Sequence, residues 1–128
     1  MEKFYLLVAG TRTFYDYDLL SKEIKRLTAR YGDNICIVSG GAKGADTLAE
    51  RYAKDNGLEF VEFKAEWDKY GKSAGFIRNE KMHQFISGFK NRGCVLFWDG
   101  KSKGTQYNVE LSRKYNNQLR IIKYNDET

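Results

Sequence analysis

Residues 35–46 have the sequence Ile35-Cys36-Ile37-Val38-Ser39-Gly40-Gly41-Ala42-Lys43-Gly44-Ala45-Asp46. The first four residues are apolar and rich in β-branched side chains, which predicts a strand buried on both faces. Three glycines follow within six residues, and a segment of helical period begins after them. A glycine turn between a strand and a helix exposes backbone N–H groups where an anion such as phosphate can bind. The stretch therefore predicts a strand, turn and helix of an α/β protein that binds a nucleotide-like ligand.

The same alternation of short apolar runs and helical segments extends along all 128 residues, and no Pro-rich linker or internal repeat interrupts it. We predict strands at residues 4–9, 35–38, 59–63, 94–98 and 120–123, and helices at 17–31, 45–56, 74–88 and 105–115. This order predicts a single domain, residues 1–128, of the α/β class: a mainly parallel five-stranded sheet flanked by helices in three layers. The ligand crevice is expected at the carboxyl ends of the strands, where strand order reverses between the first and the fourth strand.

Composition narrows the classes of partner. Lys and Arg number 22 against 17 Asp and Glu, and the net charge of +5 favours anionic ligands and only weakly indicates nucleic acid. Cys36 and Cys94 lie in predicted strands, where free thiols behave as small hydrophobes, and no metal-ligand spacing occurs. We therefore expect no metal and no cofactor. No signal segment or membrane-spanning run is found, which predicts a soluble, cytoplasmic protein without a membrane partner.

Four segments that follow predicted strands are rich in glycine, cationic and aromatic residues. Glycine permits close approach of a ligand, guanidinium groups bind phosphate, and aromatic rings offer a stacking surface for a base. Each of these residue types also has a purely structural explanation. The cations can be solvated surface charges, the aromatic side chains can pack in the core or at its rim, Asp46 can cap a helix, and Asp99 can initiate a turn. The candidate ligand-binding residues are Gly10, Arg12, Ser39, Gly40, Gly41, Gly44, Asp46, Trp67, Tyr70, Lys72, Arg78, Asn79, Trp98, Asp99, Gly100, Lys103, Gly104 and Thr105.

Five motifs in these segments carry a resemblance to a known family. They are VAGTRTF at residues 8–14, VSGGAKGAD at 38–46, WDKYGK at 67–72, GxxRNExM at 75–82 and FWDGxSxGT at 97–105. Together they resemble the YspA-like branch of the SLOG superfamily, which also contains the Lonely Guy phosphoribohydrolases and the DNA-processing protein that loads recombinase on single-stranded DNA. The resemblance implies a Rossmann-like fold and a nucleotide-type ligand.

The resemblance to the Lonely Guy hydrolases can be followed residue by residue. Those enzymes split the N-glycosidic bond of nucleoside monophosphates with an arginine of an Arg-x-x-x-Met pattern and a glutamate of Gly-Gly-x-Gly-Thr-x-x-Glu. Arg78 matches the arginine and Thr105 the threonine, but Asn108 stands where the pattern has glutamate. The nearest glutamate, Glu110, is two residues further, about 200° around a helix, so we expect it to point elsewhere.

Three hypotheses of function follow. The favoured one is a module that binds a nucleoside monophosphate, ADP-ribose or an NAD-derived molecule as a sensor or sequestering protein. The second is an N-glycosidic hydrolase of such molecules, with Arg78, Asp99 and Glu110 as candidate catalytic residues. The third is a single-stranded nucleic-acid binder. A homodimer through an apolar patch of Phe85, Ile86 and Phe89 is the alternative to packing of these side chains under the fourth strand.

Overall fold

A computed structural model describes residues 2–124 of the chain. The strands are β1 Phe4–Gly10, β2 Ile35–Ser39, β3 Glu59–Glu62, β4 Arg92–Trp98 and β5 Gln118–Lys123. The helices are α1 Tyr17–Thr28, α2 Ala45–Asp55, α3 Trp67–Tyr70, α4 Ala74–Ser87 and α5 Lys103–Lys114, and two single 3₁₀ turns lie at Ala29–Tyr31 and Gly71–Ser73.

The five strands form one sheet in the order β3-β2-β1-β4-β5, and every neighbouring pair is parallel. At its centre, Leu7 of β1 lies in register with Val38 of β2 on one side and Cys94 of β4 on the other. The predicted reversal of strand order between the first and fourth strands is confirmed. Because all strands run in one direction, their carboxyl ends share one edge of the sheet, where an open α/β sheet binds its ligands.

Side chains alternate across β1 into two apolar cores. Leu6 and Val8 pack with the inner faces of α1 and α2, whereas Leu7 and Ala9 pack on the opposite face of the sheet with α4. This produces the helix, sheet and helix layers of a Rossmann-like α/β fold and confirms the predicted class. Burial raises the pKa of the Cys94 thiol to about 12, consistent with a side chain that serves as core packing.

Several element boundaries differ from the sequence prediction, each for an identifiable physical reason. β4 begins at Arg92, two residues early, because Arg92 pairs with Tyr5 of β1. α5 begins at Lys103, because the Ser102 side chain caps it by accepting a hydrogen bond from the Thr105 backbone N–H. α3 was not predicted, since four residues are too few to show a helical period.

The apolar segment near the end of α4 packs within the chain. Ile86 is fully buried in the core beside α4, and Phe85 packs against the same core. Phe89 stacks on Tyr5 with 3.6 Å between the ring centroids. The packing alternative therefore holds for Ile86, whereas Phe85 and Phe89 are half-buried, and the homodimer stays a prediction. None of the helices within residues 2–124 is long and apolar enough to cross a membrane.

Candidate functional site

A cleft with two lobes opens at the carboxyl edge of the sheet, beside the reversal of strand order. The first lobe, called here the α5 lobe, has a volume of about 350 Å³ and lies among the end of β1, α4 and the start of α5. The second, called the lysine lobe, has a volume of about 480 Å³ and lies between residues 40–43 and residues 64–65. The lobes meet at four shared residues, Arg12, Ala42, Trp67 and Arg78.

Arg78 is the buried cation at this junction. Its Nε donates to Asn79 Oδ1 at 2.7 Å and its Nη1 donates to the carbonyl oxygen of Gly40. The guanidinium lies so close to Gly40 that a Cβ there would overlap it. Burial lowers the pKa of Arg78, the nearby charge of Asp46 opposes this, and a smaller effect of the Arg12 charge adds to the lowering. Two guanidinium groups that share one small region favour an anionic ligand between them.

Asp46 is the only carboxylate among the described residues that line either lobe. It is 5% exposed, and its Oδ2 accepts a hydrogen bond from the Ala42 backbone N–H at 3.1 Å. Burial raises the pKa of Asp46 to about 6, against the lowering effects of that hydrogen bond and of Arg78. Asp46 thus holds the glycine turn itself, and it accepts from a backbone N–H that was expected to be available to a bound phosphate.

Exposed aromatic side chains border the cleft. Trp67 is 50% exposed and lines both lobes, because the short helix α3 presents it at their junction. Phe76 of α4 is 45% exposed, lines the α5 lobe and meets the edge of Tyr107 at 5.2 Å between centroids. A base or another flat ring can stack on either ring with phosphate groups directed toward the guanidinium groups.

The structure brings eleven of the predicted ligand residues to the cleft and leaves the others outside it. Those that line it are Gly10, Arg12, Gly40, Gly41, Asp46, Trp67, Lys72, Arg78, Asn79, Gly104 and Thr105. Those that do not are Ser39, Gly44, Tyr70, Trp98, Asp99, Gly100, Lys103 and the candidate catalytic residue Glu110.

The residues outside the cleft have local roles. Asp99 Oδ1 accepts the backbone N–H groups of Lys101 and Ser102 at 2.8 and 3.0 Å, and these bonds hold its pKa below the usual value. Trp98 Nε1 donates to the Ser102 carbonyl at 3.1 Å. Glu110 is exposed on α5 and does not line the cleft. Of the three candidate catalytic residues, only Arg78 lies in the cleft.

Sequence reasoning did not select several residues that line the cleft. The α5 lobe also contains Thr11, Gly75, Phe76, Ser102 and Asn108. Helical spacing could have identified Gly75 and Asn108, because a residue three or four positions from a predicted site residue shares its face of a helix. Gly75 precedes Arg78 by three residues, and Asn108 follows Thr105 by three. The lysine lobe adds Lys43 and Lys64, whose proximity depends on the pairing of β2 with β3.

Comparisons with known proteins agree with this architecture. The sequence model of the YspA, cpYpsA-related SLOG family matches residues 4–70. The Gene 61 protein of Mycobacterium phage D29 is 30% identical over 131 residues, covering 95% of this chain and 97% of that protein. The chain belongs to the YspA, cpYpsA-related SLOG family.

Two solved structures share the fold. The DNA processing protein A of Streptococcus pneumoniae superposes with a TM-score of 0.62 at 18% identity, over 98% of this chain and 52% of that one. The DNA processing protein A of Helicobacter pylori, described for its single-stranded DNA binding mode, gives a TM-score of 0.70 at 16% identity, over 98% and 68%. The chain therefore spans about half of the Streptococcus protein, and the likeness at this identity concerns the fold.

Proposed function

We propose that this SLOG-family chain binds a phosphate-bearing, nucleotide-type ligand in the two-lobed cleft. The observation that carries the proposal is the pair Arg12 and Arg78 beside the exposed ring of Trp67, all at the junction of the lobes. Lys72 lines one lobe, and Lys43 and Lys64 line the other. A ligand that carries both phosphate and a flat base satisfies the cations and the ring together.

The dimensions of the cleft support a small nucleotide-derived ligand. Each lobe falls within the range of about 300–1,000 Å³ that is usual for small-molecule sites. A base on Trp67 leaves its phosphates at the junction, within reach of Arg12 and Arg78. A nucleoside monophosphate, ADP-ribose or an NAD-derived molecule has these parts, and the chain would serve as its sensor or sequestering protein.

The carboxylate content of the cleft favours ligand binding without hydrolysis over catalytic turnover. A glycosidic hydrolase requires a carboxylate that stabilises an oxocarbenium ion or activates water. Among the described residues of the cleft only Asp46 is available, and it accepts the Ala42 N–H. Asn108, which carries no charge, lines the lobe at the position where the Lonely Guy pattern has glutamate.

Single-stranded nucleic acid is the second candidate ligand. The two lobes are continuous past Trp67, and this continuity supports the second candidate. A polymer that follows both lobes would pass several cations and more than one aromatic ring. The Helicobacter pylori neighbour is described as binding single-stranded DNA. The net charge of +5 agrees with such a partner.

The test compares ligands and variants on the same samples. AMP, ADP-ribose, NAD and an oligo-dT are added to the purified protein, affinity is measured by calorimetry, and free base is measured by chromatography. Arg12→Ala should weaken binding about tenfold or more, because an exposed cleft cation is lost without disturbing the core. Arg113→Ala, an exposed arginine at the end of α5, is the charge-matched control and should bind as the wild type does.

Each outcome separates the hypotheses. Saturable binding of an intact mononucleotide supports the sensor, whereas released base identifies a hydrolase. Preference for oligo-dT with a steep loss of affinity in added salt identifies the nucleic-acid binder. Equal affinities of the Arg12 and Arg113 variants for every ligand would remove the cleft as the binding site.

A further inference from the structure

A chain of buried polar side chains runs from the cleft through the layer formed by α4 and α5. Asn108 of α5, His83 of α4 and Asn117 before β5 are all buried, and His83 has no exposed surface. His83 Nε2 lies 3.1 Å from Asn108 Oδ1, and His83 Nδ1 lies 3.0 Å from Asn117 Nδ2. The far end of the chain is Arg92, whose Nε donates to Asn117 Oδ1 at 2.6 Å.

The direction of every hydrogen bond in this chain follows from Arg92, because a guanidinium can only donate. The atom of Asn117 that faces Arg92 must therefore be its oxygen, and its NH₂ group must face His83. His83 Nδ1 then accepts, so the neutral ring carries its proton on Nε2. That N–H donates to Asn108, which fixes the oxygen of the Asn108 amide toward His83.

The Asn108 NH₂ group consequently faces away from His83. It donates one hydrogen to the Gly104 carbonyl at 3.3 Å, and the residue lines the α5 lobe. An amide nitrogen has two hydrogens, and no hydrogen bond within residues 2–124 occupies the second. A buried N–H that lacks a partner is costly unless a ligand or water accepts from it.

We propose that Asn108 contacts the ligand as a hydrogen-bond donor, and that His83 is the positioning residue that holds its amide in this orientation. The ligand presents an oxygen acceptor, from a phosphate or a base, to the floor of the α5 lobe at the beginning of α5. The inference rests on the proposed function, because it concerns the same cleft.

The environment of His83 keeps this orientation constant near neutral pH. Burial lowers the pKa of His83 to about 4, and the hydrogen bond with Asn108 opposes this only in part. The groups that face its ring are uncharged amides on both sides, and the Arg92 cation lies beyond Asn117. The ring stays neutral and Nε2 keeps its proton, so the amide presents a donor at every pH above about 5.

The first test needs no ligand. The ring ¹⁵N chemical shifts of His83, the only histidine in the sequence, report its tautomer directly. We expect the Nε2–H tautomer, unchanged between pH 5.5 and 8. The Nδ1–H tautomer, or protonation in this range, would reverse or abolish the orientation of Asn108 and overturn the inference.

The second test measures affinity for AMP and ADP-ribose. Asn108→Leu is similar in volume and uncharged, and it should weaken binding about tenfold, as expected for a lost hydrogen bond of about 1.4 kcal/mol. Asn56→Leu is the control, since Asn56 ends α2 away from the cleft. Wild-type affinity in a folded Asn108→Leu variant would overturn the inference and leave the proposed function intact.

Substitutions of His83 separate positioning from simple packing. His83→Leu fills the same space but lets the Asn108 amide rotate, and it should weaken binding about as much as Asn108→Leu does. His83→Gln places an amide N–H near the position of Nε2, so it should restore affinity to within about threefold of wild type. Equal weakening by both substitutions would assign His83 to packing alone. Failure of the wild type to bind any probe would instead remove the proposed function, and the inference with it, whatever the tautomer.

Discussion

Two glycine-containing turns border the cleft, and glycine has opposite roles in them. In residues 39–46, between β2 and α2, Gly40 lies under the Arg78 guanidinium and Gly44 lies against the Thr11 carbonyl. In residues 98–105, between β4 and α5, a Cβ on Gly104 would meet no atom within 4 Å, although Gly104 lines the α5 lobe. The first turn uses glycine to let the chain pack on itself, whereas the second leaves space for something else.

The first turn therefore contributes mainly to folding and the second mainly to ligand binding, although both lie at the same edge of the sheet. The first turn also uses its own side chain, Asp46, to hold the Ala42 N–H. A substitution there should change stability and affinity together. In the second turn, Asp99 holds the backbone N–H groups of Lys101 and Ser102, and a Cβ on Gly104 would not contact Asp99. Substitutions in the two turns therefore test the comparison directly.

The largest effect is expected at Gly44. Its φ of 81° is unfavourable for a residue with a side chain, and a Cβ would overlap the carbonyl oxygens of Thr11 and Arg12. Gly44→Ala should lower the free energy of unfolding by about 2–4 kcal/mol, measured by urea denaturation. Gly57→Ala is the control, because Gly57 also has a positive φ but no neighbour within 4 Å, and it should cost about 1 kcal/mol. Equal costs would mean that the close approach at Gly44 contributes nothing.

Gly104 should show the opposite pattern. Gly104→Leu places a side chain in the open space of the α5 lobe, and it should weaken AMP binding about tenfold or more. Stability should stay the same or rise by up to about 1 kcal/mol, because glycine is a poor helix residue. Gln106→Leu, on the exposed side of the same helix, is the control and should leave affinity unchanged. Full affinity in the Gly104 variant would place the ligand outside the α5 lobe.

The contrast between the turns explains how far the sequence could predict the molecule. The strands and helices follow from local periodicity, so the fold class and the position of the cleft were predictable. Glycine in a turn indicates only that a Cβ is excluded or unnecessary, and the atom beside it comes from elsewhere in the chain. Arg78 reaches Gly40 across 38 residues, and Asn108 acquires its orientation from Arg92 through two intermediate side chains. Such relations depend on tertiary packing, which single-sequence patterns do not contain.

A smaller effect is expected from the charge of Asp46. Its pKa of about 6 in the folded protein means that it takes up a proton as the pH falls from 7.5 to 5.5, which removes the negative charge from the cleft. Affinity for ADP-ribose, whose pyrophosphate does not titrate in this range, should therefore rise about three- to tenfold. Asp46→Asn should abolish this dependence, whereas Asp68→Asn, on α3, should preserve it. A slope that survives in Asp46→Asn would assign the pH dependence to another group.

Affinity is the better measurement for Asp46, because two groups have opposite effects on stability in acid. The folded-state pKa of Asp46 lies above the value of 3.8 for an ordinary carboxyl, so its contribution to stability falls as pH rises from 4 to 6. The folded-state pKa of His83 is about 4, below the usual 6.5, so its contribution rises over a similar range. Asp99, whose pKa is held below the usual value, also loses its contribution to stability in acid, so a stability curve would not isolate Asp46.

The smallest effect should come from Asp99, the residue that best distinguishes a binding turn from a structural one. Asp99→Ala removes two hydrogen bonds to backbone N–H groups and should lower the free energy of unfolding by about 1 kcal/mol. Asp99→Asn keeps an acceptor oxygen and should cost less, and neither variant should change affinity for AMP by more than about twofold, since Asp99 does not line the cleft. A catalytic Asp99 predicts the reverse order of sensitivity, because replacing its charge with an amide would abolish base release while leaving the turn folded. Comparing the melting temperature and free base of Asp99→Asn therefore decides whether the second turn supplies chemistry or only the shape within which Gly104 leaves space for the ligand.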